Sequence, residues 1–351
     1  MSTMRATVLT NYVDVVRQLG LSPEKLLRTV GLSPQMLSTP DRLIPSDAVV
    51  RLLESAAEQS GCEVVGLRMS EPRGLSQFGV VGLLLNQQPT LRDALQMARK
   101  YRPLMNAAIA LRLEELGDMA ILSEEVLTEV PLPSRQTTEL AMATSLRLFH
   151  AILGKDWHPR RVYFRHEPPK SLEAHHRVFR CPCEFRADFN ALSFPRKDLD
   201  IPNPSADPQM ARYAFDFIES VAGAATEPLA AEVRRSIYLL LPLGQATVKQ
   251  VAESRGCSVR KLQLDLGRIG TSFAQLLDEA RRERAQLYLG NPRFEIGQTA
   301  ALLGYRHQSA FTRWFAGRFG MPPSEWQAKA NAHGAPGPTL PDALRAQRDG
   351  C

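Results

Sequence analysis

From residue 247 onward, apolar positions recur at helical spacing in a pattern that occurs twice. Ile296, Thr299, Ala300 and Leu303 share one helical face, and Gly304 stops that helix. About five residues later Ala310, Phe311, Trp314, Phe315 and Phe319 mark a second helix. Two short helices meeting at a tight glycine turn predict a helix-turn-helix over residues 296–319. Residues 247–266 repeat the grammar: Val248, Val251 and Ala252 inward, Gly256 in the turn, Ser258 as a cap, Leu262 and Leu266 on the second helix. Ala252 and Gly256 map to Ala300 and Gly304 at an offset of 48, Leu262 and Leu266 to Phe311 and Phe315 at 49, so the second unit has one extra residue in its turn. Between them Ser272 to Leu289 reads as one helix, with Phe273, Leu276, Leu277, Ala280, Ala285 and Leu289 inward and Arg281, Arg282 and Arg284 outward. At 1.5 Å per residue it is about 27 Å long. A rod of that length with a small body at each end can hold two helices roughly 34 Å apart, one turn of duplex DNA.

A helix that enters the major groove turns polar residues outward. In the second unit these are His307, Gln308, Ser309, Thr312 and Arg313; in the first they are Arg260, Lys261, Gln263 and Leu264. Glutamine can pair with adenine, arginine with guanine or phosphate, lysine with phosphate, and leucine at best with a thymine methyl. Gln308, Arg313, Arg260 and Gln263 are therefore the principal candidates, and His307 and Ser309 weaker ones. A helical hairpin packed in a core would show the same period in one stretch alone; the repeat and the spacing are what argue for DNA.

Residues from about Leu229 to Lys329 resemble the DNA-binding domain of AraC-type transcription regulators. The resemblance rests on the two units, GTSF (Gly270 to Phe273), RRERA (Arg281 to Ala285), and the LGY, SAFTRWF and FGMPPSEW run. One departure matters: where the family usually has a basic residue after a Leu-Gln pair, Leu262 and Gln263 are followed here by Leu264 and Asp265. The favoured expectation is that Asp265 faces the DNA backbone and weakens docking of the first unit by repulsion. The alternative is that it pairs along its own helix with Lys261 or Arg268.

Upstream, helical and strand signals interleave. Thr7 to Leu19 reads as one amphipathic helix. Ser22-Pro23-Glu24 and Ser33-Pro34-Gln35 read as helix starts, and Ser46 to Gln59 as a helix capped by Ser46 and ended near Gly61. Thr90 to Tyr101 gives another helix. Alternation then predicts a hairpin, Ala108 to Leu113 and Met119 to Ser123, turning through Glu115 to Asp118. A long helix from about Ser134 to Leu153 follows, then a strand at Arg161 to Arg165, a helix at Lys170 to Phe179, and short strands near Phe185 and at Ala191 to Phe194. The expectation is an α+β domain. GLSPQML with the following PDRLIPSDAVVRLLESAAEQSGCEVVGLRM, then FGVVGLLLNQQPTLRDALQMARKY, and FRCPCEFRADFNALSFPRKDLDIPNP resemble the N-terminal sensor domain of one branch of AraC-type regulators, from roughly Gly20 to Pro208. That resemblance implies a domain that responds to a small effector and mediates dimerisation; it does not identify the effector.

Composition narrows the classes. The chain has 351 residues, 44% hydrophobic and 23% charged, enough for two or three ordinary globular domains. Its net charge is +6, and residues 229–331 hold 15 Lys and Arg against 8 Asp and Glu, while residues 1–228 hold 26 against 27. The positive excess thus sits where DNA binding is expected. The sequence shows neither a membrane-span-length apolar run nor a signal-peptide layout, and its five scattered cysteines suit reduced thiols, so the expected location is the cytoplasm. His175, His176, Cys181 and Cys183 crowd together, but Cys-x-Cys is not a usual structural zinc spacing, so no metal site is expected. Glu114, Glu115, Glu124 and Glu125 flank the predicted hairpin and read as a solvated face rather than acid–base catalysts.

The reading is a non-enzymatic, cofactor-free regulator: an α+β effector-sensing and dimerisation domain over 1–220, a linker at 221–228, an all-α DNA-binding domain at 229–331 with two helix-turn-helix units on a linker helix, and a disordered tail at 332–351. Its expected partners are double-stranded promoter DNA, a small effector, a second copy of the chain, and RNA polymerase if it activates. The alternatives are a regulator whose first domain only dimerises, and an enzyme with a DNA-binding appendix.

Overall fold

A computed structural model describes residues 3–74, 78–128, 132–222, 228–291 and 294–333. The chain divides into two compact units, Met1–Glu227 and Pro228–Cys351.

The first unit begins with β1 (Thr3–Arg5), α1 (Tyr12–Gln18), α2 (Pro23–Thr29), α3 (Pro34–Leu37), β2 (Leu43–Pro45), α4 (Ser46–Ser60) and α5 (Val65–Ser70). β1 and β2 pair antiparallel, and Met4, Tyr12, Val16, Leu27, Ile44 and Leu52 fill the core of this region. Next come α6 (Gly79–Asn86), α7 (Leu91–Lys100), α8 (Arg102–Met105), β3 (Ile109–Leu116), β4 (Met119–Val126), α9 (Arg135–Leu153), β5 (Arg161–Phe164), α10 (Glu173–Phe179), β6 (Cys183–Phe185), β7 (Ala191–Pro195) and α11 (Pro208–Ala222). The five strands β3 to β7 make one sheet in the order β3-β4-β7-β5-β6, antiparallel except for β5 with β6. α9 joins the two cores: its Leu140 packs into the first, its Met142, Ala143, Leu146 and Phe149 into the second beneath the sheet. Burial of such apolar faces is what fixes the helices in place.

Several boundaries differ from expectation for local reasons. Thr7 to Leu19 is not one helix, because Asn11 takes a left-handed conformation (φ 67°) between a 3-10 turn at Ala6–Leu9 and α1, and its amide donates to the Met69 carbonyl. Ser46 opens α4 but does not cap it; its hydroxyl turns to Asp47. The hairpin strands run longer than read, and the helix read from Lys170 starts at Glu173. The expected elements do not include β1, β2, α5, α6, α8 or α11. The signal for α11 was present in Asp207-Pro208: the Asp207 carboxylate accepts from the backbone N–H of Gln209 and Met210. α11 reaches Ala222, two residues into the expected linker, and residues 223–227 lie outside the described ones.

The carboxylates need a larger correction. Glu115 does lie near the surface, paired with Arg92 and Arg196, but Glu124 and Glu125 are only 3% and 6% exposed. Glu125 is matched by Arg165 at 3.1 Å; both oxygens of Glu124 lack a hydrogen-bond partner. The histidines and cysteines also separate: His175 Nε2 lies 3.0 Å from Glu139, His176 is exposed, and the Cys183 thiol faces the Cys181 carbonyl. Among the described residues no group of three such side chains is placed to hold a metal, and no helix is long and apolar enough to cross a membrane.

The second unit is helical: α12 (Leu229–Leu240), α13 (Val248–Ser254), α14 (Val259–Arg268), α15 (Phe273–Leu289), α16 (Ile296–Leu302), α17 (Gln308–Phe319) and α18 (Pro323–His333). α18 enters the expected tail by two residues, and residues 334–351 lie outside the described ones.

α5 and α9 touch at Gly66, where a Cβ would stand 2.0 Å from the Gln136 carbonyl oxygen. The same approach lets the Gly66 N–H donate to the Gln136 side chain at 3.0 Å. Gly66→Ala must push the helices apart and is expected to destabilise the first unit by about 3 kcal/mol, at the upper end of overpacking costs. Chemical denaturation of the full chain measures this, and a change below about 0.5 kcal/mol, the size of an ordinary surface substitution, would show that the contact is soft.

Candidate nucleic-acid interface

The two helix pairs α13–α14 and α16–α17 repeat one local design. Thr247 caps α13, its hydroxyl accepting from Gln250 N–H, and Ser258 caps α14 by accepting from Lys261 N–H at 3.2 Å. Gly256 (φ 64°) and Gly304 (φ 73°) turn the chain left-handed after the first helix of each pair, a conformation costly for other residues. Residues 255–258 connect the first pair and 303–307 the second, so the second connection is longer by one residue. In each pair the inward residues are fully buried: Val251, Ala252, Leu262 and Leu266 in the first, Ala300, Leu303, Phe311 and Phe315 in the second.

α15 is clamped to the second pair by polar contacts as well as by packing. Trp314 donates from its indole N–H to Asp278 at 2.8 Å, and Arg318 Nε lies 3.3 Å from the same carboxylate oxygen. Arg281 donates to the Leu303 carbonyl at the end of α16, at 3.0 Å, and its guanidinium rests 4.4 Å from the centre of the Tyr305 ring. Arg284 is buried over Tyr238 of α12, and Arg282 lies near the Phe319 ring. The arginines read as outward-facing are thus staples of the unit. Phe315 stacks on Phe319 at 4.2 Å, with Trp326 of α18 against both, closing the core.

What remains outside is polar and basic. Arg260, Lys261, Gln263 and Leu264 are exposed on α14, Leu264 at 55%. On the second pair His307, Gln308, Ser309 and Arg313 are exposed, while Thr312 is half-buried. His307 precedes α17 as its cap residue without a capping bond, and the Gln308 side chain lies back against Gly297. Most other arginines and lysines here are paired: Arg234 with Glu283, Arg255 with Glu232, Lys329 with Glu325. Arg260, Arg306 and Arg313 are exposed and have no ion pair among the described residues. Arg306 was missed in the sequence because it lies in the turn, outside the helical pattern. Asp265 takes the alternative arrangement and not the favoured one facing a DNA backbone: its carboxylate lies 3.1 Å from Arg268 and 3.7 Å from Lys261, along its own helix.

A family model described as the arabinose-binding domain of AraC transcription regulator, N-term, matches residues 20–203, and a helix-turn-helix domain model matches residues 243–329. The chain belongs to the AraC family. HTH-type transcriptional regulator VirS of Mycobacterium tuberculosis is 28% identical to it over 336 residues, 95% of this chain and 98% of that protein. The ornithine utilization regulator of Pseudomonas aeruginosa is 26% identical, over 90% of this chain and 93% of its own. The crystal structure of the transcriptional regulator CdpR from Pseudomonas aeruginosa aligns over 89% of this chain and 97% of its own, with 21% identity and a TM-score of 0.42. This AraC-family chain is a DNA-binding transcription regulator, with an arabinose-binding-like first domain and a helical helix-turn-helix region.

Asp278→Ala in this regulator strands the Trp314 indole N–H and the Arg318 guanidinium together. It is expected to lower the stability of the α16–α17 pair by roughly 1–3 kcal/mol. Hydrogen exchange of the α16 and α17 amides in the full chain reads this directly; unchanged protection there would show that apolar packing alone holds the pair.

Proposed function

We propose that the second unit reads promoter DNA through two helix-turn-helix units, α13–α14 and α16–α17, and that a small effector bound by the first unit controls this binding. α14 and α17 are the reading helices, and α15, about 26 Å long at 1.5 Å per residue, is the spacer between them. The observation that carries the reading is the sorting of side chains. Most apolar positions of the unit are buried, Leu264 and Ile269 excepted, and most of its charges are paired within it, while Arg260, Gln263, Gln308 and Arg313 are left exposed on the second helix of each pair. Arg260 and Gln263 on one side and Gln308 and Arg313 on the other discriminate bases; Lys261 and Arg306 contact phosphate, and Leu264 meets a thymine methyl. His307, Ser309 and Thr312 are secondary contacts.

Replacing one base-reading residue, Gln263→Ala or Arg313→Ala for instance, is expected to cost roughly 1–3 kcal/mol on the preferred site and little on random DNA. Titrations on both DNAs measure it, and equal loss on the two reassigns the residue to phosphate. Because Asp265 is already paired along its helix, the natural protein is expected to protect both half-sites in a footprint. Protection limited to the second unit's half-site, extended by Leu264→Arg, would restore the idea of weak first-unit docking.

Effector control rests on the match of the first unit to an arabinose-binding domain of AraC regulators. One relative's name links it to use of an amino acid, ornithine, which makes small metabolites the natural candidates. A metabolite library screened by melting temperature tests this, since a ligand of the folded state must raise it. A hit is expected to change affinity for promoter DNA by several-fold, within the usual range of coupling between sites. If hits leave DNA affinity untouched, or none is found, the first unit serves dimerisation alone.

A further inference from the structure

The first unit contains a partly open cavity of about 100 Å³ bounded by β3, β4, α8, α9 and the segment after β1. Its wall is largely apolar, with Val8, Phe78, Met105, Ile109, Leu111 and Leu140. Polar groups interrupt it in a distinctive way. Glu124, on β4, is 3% exposed, and neither of its carboxyl oxygens has a hydrogen bond of good geometry. Burial pushes the Glu124 carboxyl up to about 7, and the nearby Ser145 hydroxyl offsets part of that cost. The Thr137 hydroxyl, also on the wall, is buried without a partner.

Arg73 supplies the opposite charge. It is 7% exposed, donates to the carbonyls of Val8 and Thr10, keeps an unpartnered Nε, and has no ion pair among the described residues. Burial alone lowers it to about 10, and no arginine offsets the burial of Glu124, so neither group answers the other's charge. The remaining arginines of the wall are engaged: Arg5 pairs with Asp41 at 2.8 Å, and Arg102 donates to the Ala107 carbonyl. Elsewhere in this unit buried carboxylates are matched on at least one oxygen: Glu125 faces Arg165, and Oε1 of Glu139 lies within reach of His175 and Arg135, while its Oε2 has no partner. A buried polar group left unmatched is costly unless something else answers it.

We propose that this cavity is the effector site and that it takes a small zwitterion, a free amino acid or a close relative, with its ammonium on Glu124 and its acid group toward Arg73. The proposal rests on the effector-controlled reading above and names the ligand class. The chemistry sorts the alternatives. A neutral sugar leaves Arg73 unanswered and gives Glu124 nothing that favours its ionised form, a simple amine leaves Arg73, and a simple carboxylic acid leaves Glu124 without a cation. The cavity has room for roughly seven to ten non-hydrogen atoms, counting about one water-sized sphere per atom, which is the size of a common amino acid. Thr137 and Ser145 remain to accept from or donate to the ligand's polar ends.

The test uses the full-length protein and a defined panel: the proteinogenic amino acids with ornithine, matched amines such as putrescine, matched acids such as succinate, and arabinose. Melting temperature and calorimetric titration are read for the natural protein, for Glu124→Gln and for Thr137→Val. At least one amino acid is expected to bind, more tightly than its matched amine or acid, and Glu124→Gln is expected to weaken it roughly tenfold or more, the loss for a charge-assisted hydrogen bond. Glu124→Gln keeps the shape and removes a buried charge, so the variant folds; its melting temperature without ligand checks this. Binding of arabinose or another class that Glu124→Gln leaves within twofold would overturn the site while leaving effector control intact. If no panel member binds but the broader library still stabilises the protein, the cavity proposal falls alone; if neither does, both fall.

Discussion

One carboxylate on the spacer helix does much to make the second unit rigid. Asp278 receives the Trp314 indole N–H and lies beside Arg318, so a single side chain of α15 fixes two turns of α17. Arg281, one helical turn later, holds the end of α16 through the Leu303 carbonyl. A helix pair held only by apolar contact can slide or rock. Directional contacts at two points on the rod remove that freedom, and the partial burial of Asp278 makes breaking them expensive. The proposed sequence-specific reading would depend on this, because a side chain displaced by an ångström no longer meets its base edge.

The two units treat buried charge differently. In the second, nearly every internal charge is answered, which leaves the exposed basic residues for an outside partner. In the first, one oxygen of Glu139 is met by His175 and Arg135 while the other has no hydrogen-bond partner, and burial holds the adjacent His166 near 4, so it is neutral at ordinary pH. Glu124 stands two strand positions from a well-matched core residue, Leu122, and faces a cavity instead of a partner. A buried carboxylate with neither oxygen partnered, set in an apolar wall, is what marks that cavity out.

Much of the second unit was legible because its signals are local. Helical spacing, the left-handed glycines 256 and 304, the caps Thr247 and Ser258, and the extra residue in the second turn all follow from short-range rules. The first unit was legible as alternating helices and strands but not in its pairings. β1 and β2 are three residues each and meet across nearly forty positions, which no local pattern announces. Glu124 and Glu125 were read as solvated because glutamate usually is. Arg281 and Arg284 were read as outward because arginine usually is; the aromatic rings and carbonyl that draw them in come from α12, α16 and the following turn. The neighbours that decide Asp265 lie three and four residues away on the same helix, where either they or a DNA phosphate could claim it.

If α15 holds two reading helices at one fixed separation, binding must depend on the distance between the half-sites in the DNA. On the footprinted promoter site, about five base pairs, roughly half a duplex turn, are inserted between the two half-sites and binding is titrated again. Simultaneous protection is expected to be lost, with one half-site released and affinity falling toward that of a single unit. No full recovery is expected when the insertion reaches a whole turn, because the rod does not lengthen. Affinity and protection that are indifferent to spacing would contradict a fixed separation, and would mean that the two pairs do not dock together.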